Sequence, residues 1–120
     1  MCREVQTAVA AANLAVEHGQ LDTTQTTPDR CGIVMGSEML YGDPREIELL
    51  YRNSILDGRF DLAQFGKRMP SDLYPLWLLK YLPNMPACHI GILHQAWGPN
   101  NTIVQGDASS LLAVSEAVTL

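Results

Sequence analysis

Thr102-Ile103-Val104-Gln105-Gly106-Asp107-Ala108-Ser109-Ser110 is the stretch that decides the fold. Thr102 to Gln105 is a short β-prone run, Gly106-Asp107 is a sharp break, and Ala108 to Leu120 is helical in pattern. A strand that turns tightly into a helix projects its corner side chain into a cleft. The first unpaired N–H groups of the helix then point at whatever binds there. Asp107 is that corner residue, and Gly106 before it has no side chain to block a crowded turn or the close approach of a ligand. Two roles compete for Asp107. Aspartate is among the best N-cap residues, about 0.5–2 kcal/mol better than alanine, and on physics alone capping outweighs catalysis. Ser109 and Ser110 suit capping and the lining of a pocket equally. No histidine lies close enough in sequence to suggest a serine relay, and the G-x-S-x-G signature is absent.

Upstream of the corner, Gly98-Pro99-Asn100-Asn101 is a turn cluster, and Asn84 with Pro86 starts a helix that runs through Ile90 and Leu93 toward Trp97. The block from Asp72 to Leu82 holds Trp77 and Tyr81 and stops at Pro83. It is too apolar for a solvated helix, so it predicts a helix buried against another surface. Asp57 to Ser71, with two glycines and a proline, reads as a surface excursion. Asp43, Pro44 and Glu46 supply the N-cap, first-turn proline and acidic member of a capping box, and Ile47, Leu50 and Tyr51 give the apolar stripe of a helix to about Ile55. Cys31 to Gly36 has the length and β-branched content of a buried, central strand. Threonine-rich Leu21 to Arg30 is a loop, and Arg3 to His18 is a helix with a narrow, close-packing face that stops at Gly19. The reading is an α/β chain, helix-rich with few strands.

The chain has 120 residues, 47% of them apolar and 18% charged, enough for one core: one domain or a piece of one. Its net charge of −5 opposes the attraction that drives proteins onto phosphate backbones, so nucleic acid is not an expected partner. There is no apolar run long enough to span a bilayer, and Met1 to Gln6 carries a glutamate where a signal peptide would be basic and apolar. A soluble, cytoplasmic protein without membrane contact is expected. Cys2, Cys31 and Cys88 are odd in number and widely spaced, and read as small buried apolar residues. His89 and His94 would point well apart on a helix, so no metal site is expected, and no cofactor motif is present. The last helix reaches Leu120 with no capping signal, as though the chain were cut.

Asn84-Met85-Pro86-Ala87-Cys88-His89-Ile90, followed by Trp97-Gly98-Pro99-Asn100-Asn101-Thr102-Ile103-Val104, resembles the segment before the active site of β-ketoacyl-acyl carrier protein synthases, the condensing enzymes of fatty-acid and polyketide assembly. Asp29 to Ser37 resembles that family's earlier strand and the alanine-rich first helix the helix before it, while Tyr41 to Lys80 matches least. The resemblance implies an incomplete thiolase-like fold, with residues 1–120 a fragment of the N-terminal β-ketoacyl synthase domain whose first strands are missing. It also implies a corner nucleophile that takes an acyl group from a carrier-protein thioester.

Counted from Gly98-Pro99-Asn100, the family's cysteine position is Asp107, with Gly106, Ser109 and Ser110 as the substrate-binding neighbours. A thiolate exchanges with a thioester at little cost, whereas a carboxylate would have to form a mixed anhydride, so ordinary condensation through residue 107 is not expected. The family's two histidines and lysine belong to the C-terminal part of a longer chain; His89 and His94 precede the corner and read as structural. Non-elongating chain-length factors resemble the family and also lack the cysteine, but usually carry glutamine at the corner. The implied partners are an acyl carrier protein or acyl thioester and a second subunit, in a homo- or heterodimer paired along Asn101 to Gln105. The alternatives are a non-catalytic or decarboxylating partner subunit and a scaffold fragment without chemistry.

Overall fold

The computed structural model describes residues 1–21 and 27–120, so the middle of the threonine-rich stretch, residues 22–26, lies outside the described residues. Five α-helices and four strands follow in the order α1 (Arg3–His18), β1 (Ile33–Ser37), α2 (Pro44–Arg52), β2 (Ile55–Leu56), β3 (Arg59–Phe60), α3 (Leu62–Asp72), α4 (Met85–His94), β4 (Asn100–Val104) and α5 (Ser109–Thr119), with short 3-10 turns between some of them. The helix-rich, strand-poor expectation holds. The chain divides into two compact units, one of Met1–Leu40 with Leu82–Leu120, the other Tyr41–Tyr81.

The first unit is organised by β1 and β4, which run parallel in the register Ile33↔Asn100 to Ser37↔Val104. Among the described residues β1 has no second strand beside it, and all five of its residues are half-buried instead of buried. The close approaches around the pair are made by glycines. A Cβ on Gly36 would lie 2.5 Å from the Ser109 carbonyl carbon and the Ser110 nitrogen, so α5 sits directly on β1 only because residue 36 has no side chain. A Cβ on Gly98 would lie 2.8 Å from the Cys31 carbonyl oxygen, across which Gly98 N–H donates a 2.9 Å hydrogen bond. The Ile33 N–H reaches the Pro99 carbonyl at 2.7 Å. α1 packs on α4, where His94 Nε2 and Asn13 Oδ1 are 2.9 Å apart. His94 therefore has the structural role expected, through the side-chain amide of Asn13. Val5, Ala87, Ile90, Ala96 and Ala113 are the buried apolar residues here, small side chains that suit closely spaced elements.

In the second unit Asp43 caps α2 as expected, accepting from the Arg45 N–H at 2.9 Å, and Leu50 is fully buried. The helix ends at Arg52, short of Ile55, because Ile55 opens a hairpin. Residues 57–71 are corrected from a surface excursion to regular structure: β2 pairs antiparallel with β3 and α3 follows. Asp57 (φ 50°) and Gly58 (φ 76°) make the two-residue left-handed turn that an Asp-Gly pair favours. Asp61 then caps α3, accepting from the Gln64 N–H at 2.6 Å. The rings of Tyr51, Phe60 and Phe65 close the unit with centroids 5.5–5.7 Å apart.

The buried helix expected over Asp72–Leu82 is absent. Pro75 disfavours the helical conformation at Tyr74, only a 3-10 turn forms over Trp77–Tyr81, and Leu76, Leu78 and Leu79 are exposed. Trp77 is instead pressed on Gly42, where a Cβ would meet its ring at 2.6 Å. The three cysteines, expected to be buried, are half-buried.

Lys80 Nζ lies 2.9 Å from Glu46 Oε1, and this hydrogen bond, more than the accompanying attraction, holds the Glu46 carboxyl below its ordinary range. A depressed carboxyl stabilises the fold above its unfolded pKa and loses that contribution as pH falls through its folded value. The thermal midpoint therefore drops as pH is lowered below 4.5, and Glu46→Gln reduces that slope. Gly36→Ala lowers stability by about 1–3 kcal/mol through overpacking against α5, measured as a fall in the urea midpoint.

Candidate functional site

The corner is built at the carboxyl ends of two parallel strands, where open sheets place their ligands. β4 ends at Val104, and Gly106 turns the chain with φ 55°, a conformation that side-chain-bearing residues rarely adopt. Gly106–Ala108 is a single 3-10 turn, and α5 starts at Ser109. Ser109 is 4% exposed and fastens the turn from inside: its Oγ accepts from the Gln105 N–H at 2.8 Å and donates to the Gly106 carbonyl at 2.7 Å.

Sequence reasoning proposed four residues for this site, and the structure separates them. Gly106 makes the bend, and the Ser109 hydroxyl is occupied by backbone on both sides. Asp107 and Ser110 are exposed in the first turns. Asp107 takes no capping role: Gln105 and Ala108 occupy the N-cap positions, with no side-chain cap hydrogen bond at either. Its carboxylate stands exposed just before the N-terminus of α5, where the helix dipole favours a negative charge.

Glu38 was not singled out in the sequence, yet the structure carries it to the corner. It follows Ser37 at the end of β1 and is exposed; its Oε1 accepts from the Met39 N–H at 3.0 Å, and its Oε2 lies 3.7 Å from where a Cβ on Gly106 would be. The signal that could have found it is the parallel register, which brings the residues after Ser37 and Val104 to the same edge.

The Gly98-Pro99-Asn100 motif proves to be framework. Asn100 Nδ2 donates to the Ala87 carbonyl at 3.3 Å, tying β4 to α4, and Asn101 Nδ2 donates to Glu116 Oε1 of α5 at 3.1 Å. A separate apolar cavity of about 440 Å³ lies between the alanine face of α1 and β1, with His94 and Cys31 in its wall. Asp107 does not line it. Among the described residues no three His, Cys, Asp or Glu side chains gather as a metal site, and no helix is long and apolar enough to cross a membrane.

The sequence that builds this frame, a parallel strand pair with a glycine bend opening a helix, matches a known family along its whole length. The beta-ketoacyl synthase N-terminal domain family matches over residues 1–120, and the chain belongs to that family. It is similar to the 3-oxoacyl-[acyl-carrier-protein] synthase 2 of Staphylococcus aureus, 28% identical over 117 residues, covering 98% of this chain and 26% of the relative. The same protein of strains COL and N315 is also 28% identical, with 25% of each relative covered. The chain thus spans about a quarter of the length of the curated relatives it matches.

The different attachments of the two polar corner residues give a stability contrast. Ser109→Ala removes two part-buried hydrogen bonds, to the Gln105 N–H and the Gly106 C=O, and costs about 0.5–1.5 kcal/mol, whereas Asp107→Ala changes stability by less. Chemical denaturation of both variants measures the difference.

Proposed function

We propose that this chain supplies the acyl-thioester corner of a β-ketoacyl synthase-like protein of fatty-acid or polyketide biosynthesis, and that normal condensation does not run through residue 107. The observation that carries this reading is the Gly106 bend, which puts Asp107 exposed at the start of α5 where the family resemblance puts a nucleophilic cysteine. In the condensing reaction a thiolate attacks the thioester carbonyl, the carrier thiolate leaves, and a new thioester of similar energy results. The same attack by the Asp107 carboxylate would give a mixed anhydride, far above the thioester in energy, so the acyl group stays on the carrier.

The substrate class is acyl-carrier-protein or acyl thioesters, in keeping with the name of the staphylococcal relatives. The fragment belongs to a thiolase-like, cytoplasmic protein that forms a homo- or heterodimer along β4. The unpaired outer edge of β4 among the described residues supports that pairing. A second reading, favoured by the carboxylate itself, is a partner subunit that shapes a chain-binding pocket or decarboxylates without elongating.

The two readings and a scaffold without chemistry separate by intact-mass analysis after incubation with a neutral acyl thioester. The wild-type chain stays unacylated and Asp107→Cys gains one acyl group at position 107. No adduct in Asp107→Cys means that the site is absent, and the scaffold reading then replaces this one. Loss of malonyl-thioester decarboxylation in a folded Asp107→Ala variant supports the decarboxylating subunit.

A further inference from the structure

We propose that Glu38 acts as a charge filter at this corner, disfavouring acyl groups that end in a carboxylate over acyl groups with no charge of their own. The inference rests on the reading that the corner receives an acyl thioester, and adds to it a second residue and a substrate preference.

The geometry carries it. The last paired residues of the parallel strands are Ser37 and Val104, so the chain leaves both strands at one edge, and Glu38 and Gly106–Asp107 emerge together. Glu38 is held from both sides of its backbone. The Ser37 hydroxyl donates to its carbonyl at 3.1 Å, and the Met39 N–H donates to Oε1 at 3.0 Å. One carboxylate oxygen is therefore fixed by the backbone and the other is left facing the bend, 3.7 Å from the place of a Gly106 Cβ. Outside Gln105–Asp107 themselves, that oxygen is the only described atom within 4 Å of that place.

Cations are few in this unit. Within Met1–Leu40 and Leu82–Leu120 the lysines and arginines of the sequence are Arg3 and Arg30 alone. Arg30 precedes β1, while Glu38 follows it, so the length of the strand, roughly 3.3 Å for each residue, lies between them. An anionic acyl group approaching residue 107 meets Glu38 in addition to any charge at 107. A neutral acyl group meets no such penalty. Because the corner is solvent-exposed, the effect is modest and salt-sensitive, about threefold in rate for a second charge some 6 Å away in water.

The test uses the full chain carrying Asp107→Cys, with and without Glu38→Gln. The introduced thiol is alkylated in parallel by iodoacetamide, which is neutral, and iodoacetate, which is anionic. Peptide mapping separates adducts at 107 from those at Cys2, Cys31 and Cys88. The ratio of the two rates at one pH cancels the fraction of thiol ionised, and its change between variants cancels the reagents' intrinsic reactivities and leaves the charge felt on approach. Iodoacetamide is expected to be preferred about threefold more in Asp107→Cys than in the double variant at low salt, with the preference retained by Glu38→Asp and reduced by added salt. A ratio unchanged by Glu38→Gln overturns the proposal. So does a ratio whose salt dependence in Asp107→Cys is no greater than that of a small free thiol, a comparison that needs no second substitution to fold. Transfer from acetyl and succinyl thioesters to the same thiol gives the second readout, with Glu38→Gln raising the succinyl rate selectively. If neither thioester reacts while the alkylation ratio still responds to Glu38, the charge filter stands and the acyl-site reading is what fails.

Discussion

The contact between α5 and β1 at Gly36 governs everything at the corner. With backbone atoms of Ser109 and Ser110 at 2.5 Å from the nearest place a side chain could begin, the helix can rest on the strand in only one way. That single approach fixes where α5 starts, which residue lies inside the bend and which lies outside it. Ser109 is pressed inward, so its hydroxyl must find partners, and the two nearest are the backbone groups of the bend itself. Asp107 is left on the open side as the residue whose side chain the framework does not use.

Much of this was legible in the sequence. The helix at Arg3–His18, the cap at Asp43, the strand around Ile33–Gly36 and the strand, bend and helix after Asn100 all follow from periodicity and capping chemistry. These signals are local, carried by residues within one turn or one strand of each other. The elements that were misread failed for equally local reasons. The Asp57-Gly58 pair is a hairpin signal that short, poorly alternating flanks disguise, and Asp61 is a helix cap three residues after it. In the block around Trp77 the apolar content suggested burial, but a proline at 75 disfavours the helix that would have buried it.

The site was less legible than the fold, because its make-up depends on distances in space. Asp107 could be placed at the bend from sequence, but not its exposure or its lack of a capping bond. Glu38, nearly seventy residues earlier, joins the corner only through the parallel register of β1 and β4, and no spacing rule within one segment reveals it. Ser109 suited capping and pocket lining equally in the sequence; its burial and its two backbone partners make it part of the framework.

The Gly-Pro-Asn stretch has a consequence for how such proteins diversify. Its residues hold strands and helices to each other, and the side chain at 107 contributes nothing to that scaffold. The packing that constrains Gly36, Asn100 and Ser109 therefore does not constrain residue 107. A chain can change the side chain at 107 while its architecture, and the family signature written in it, stays the same.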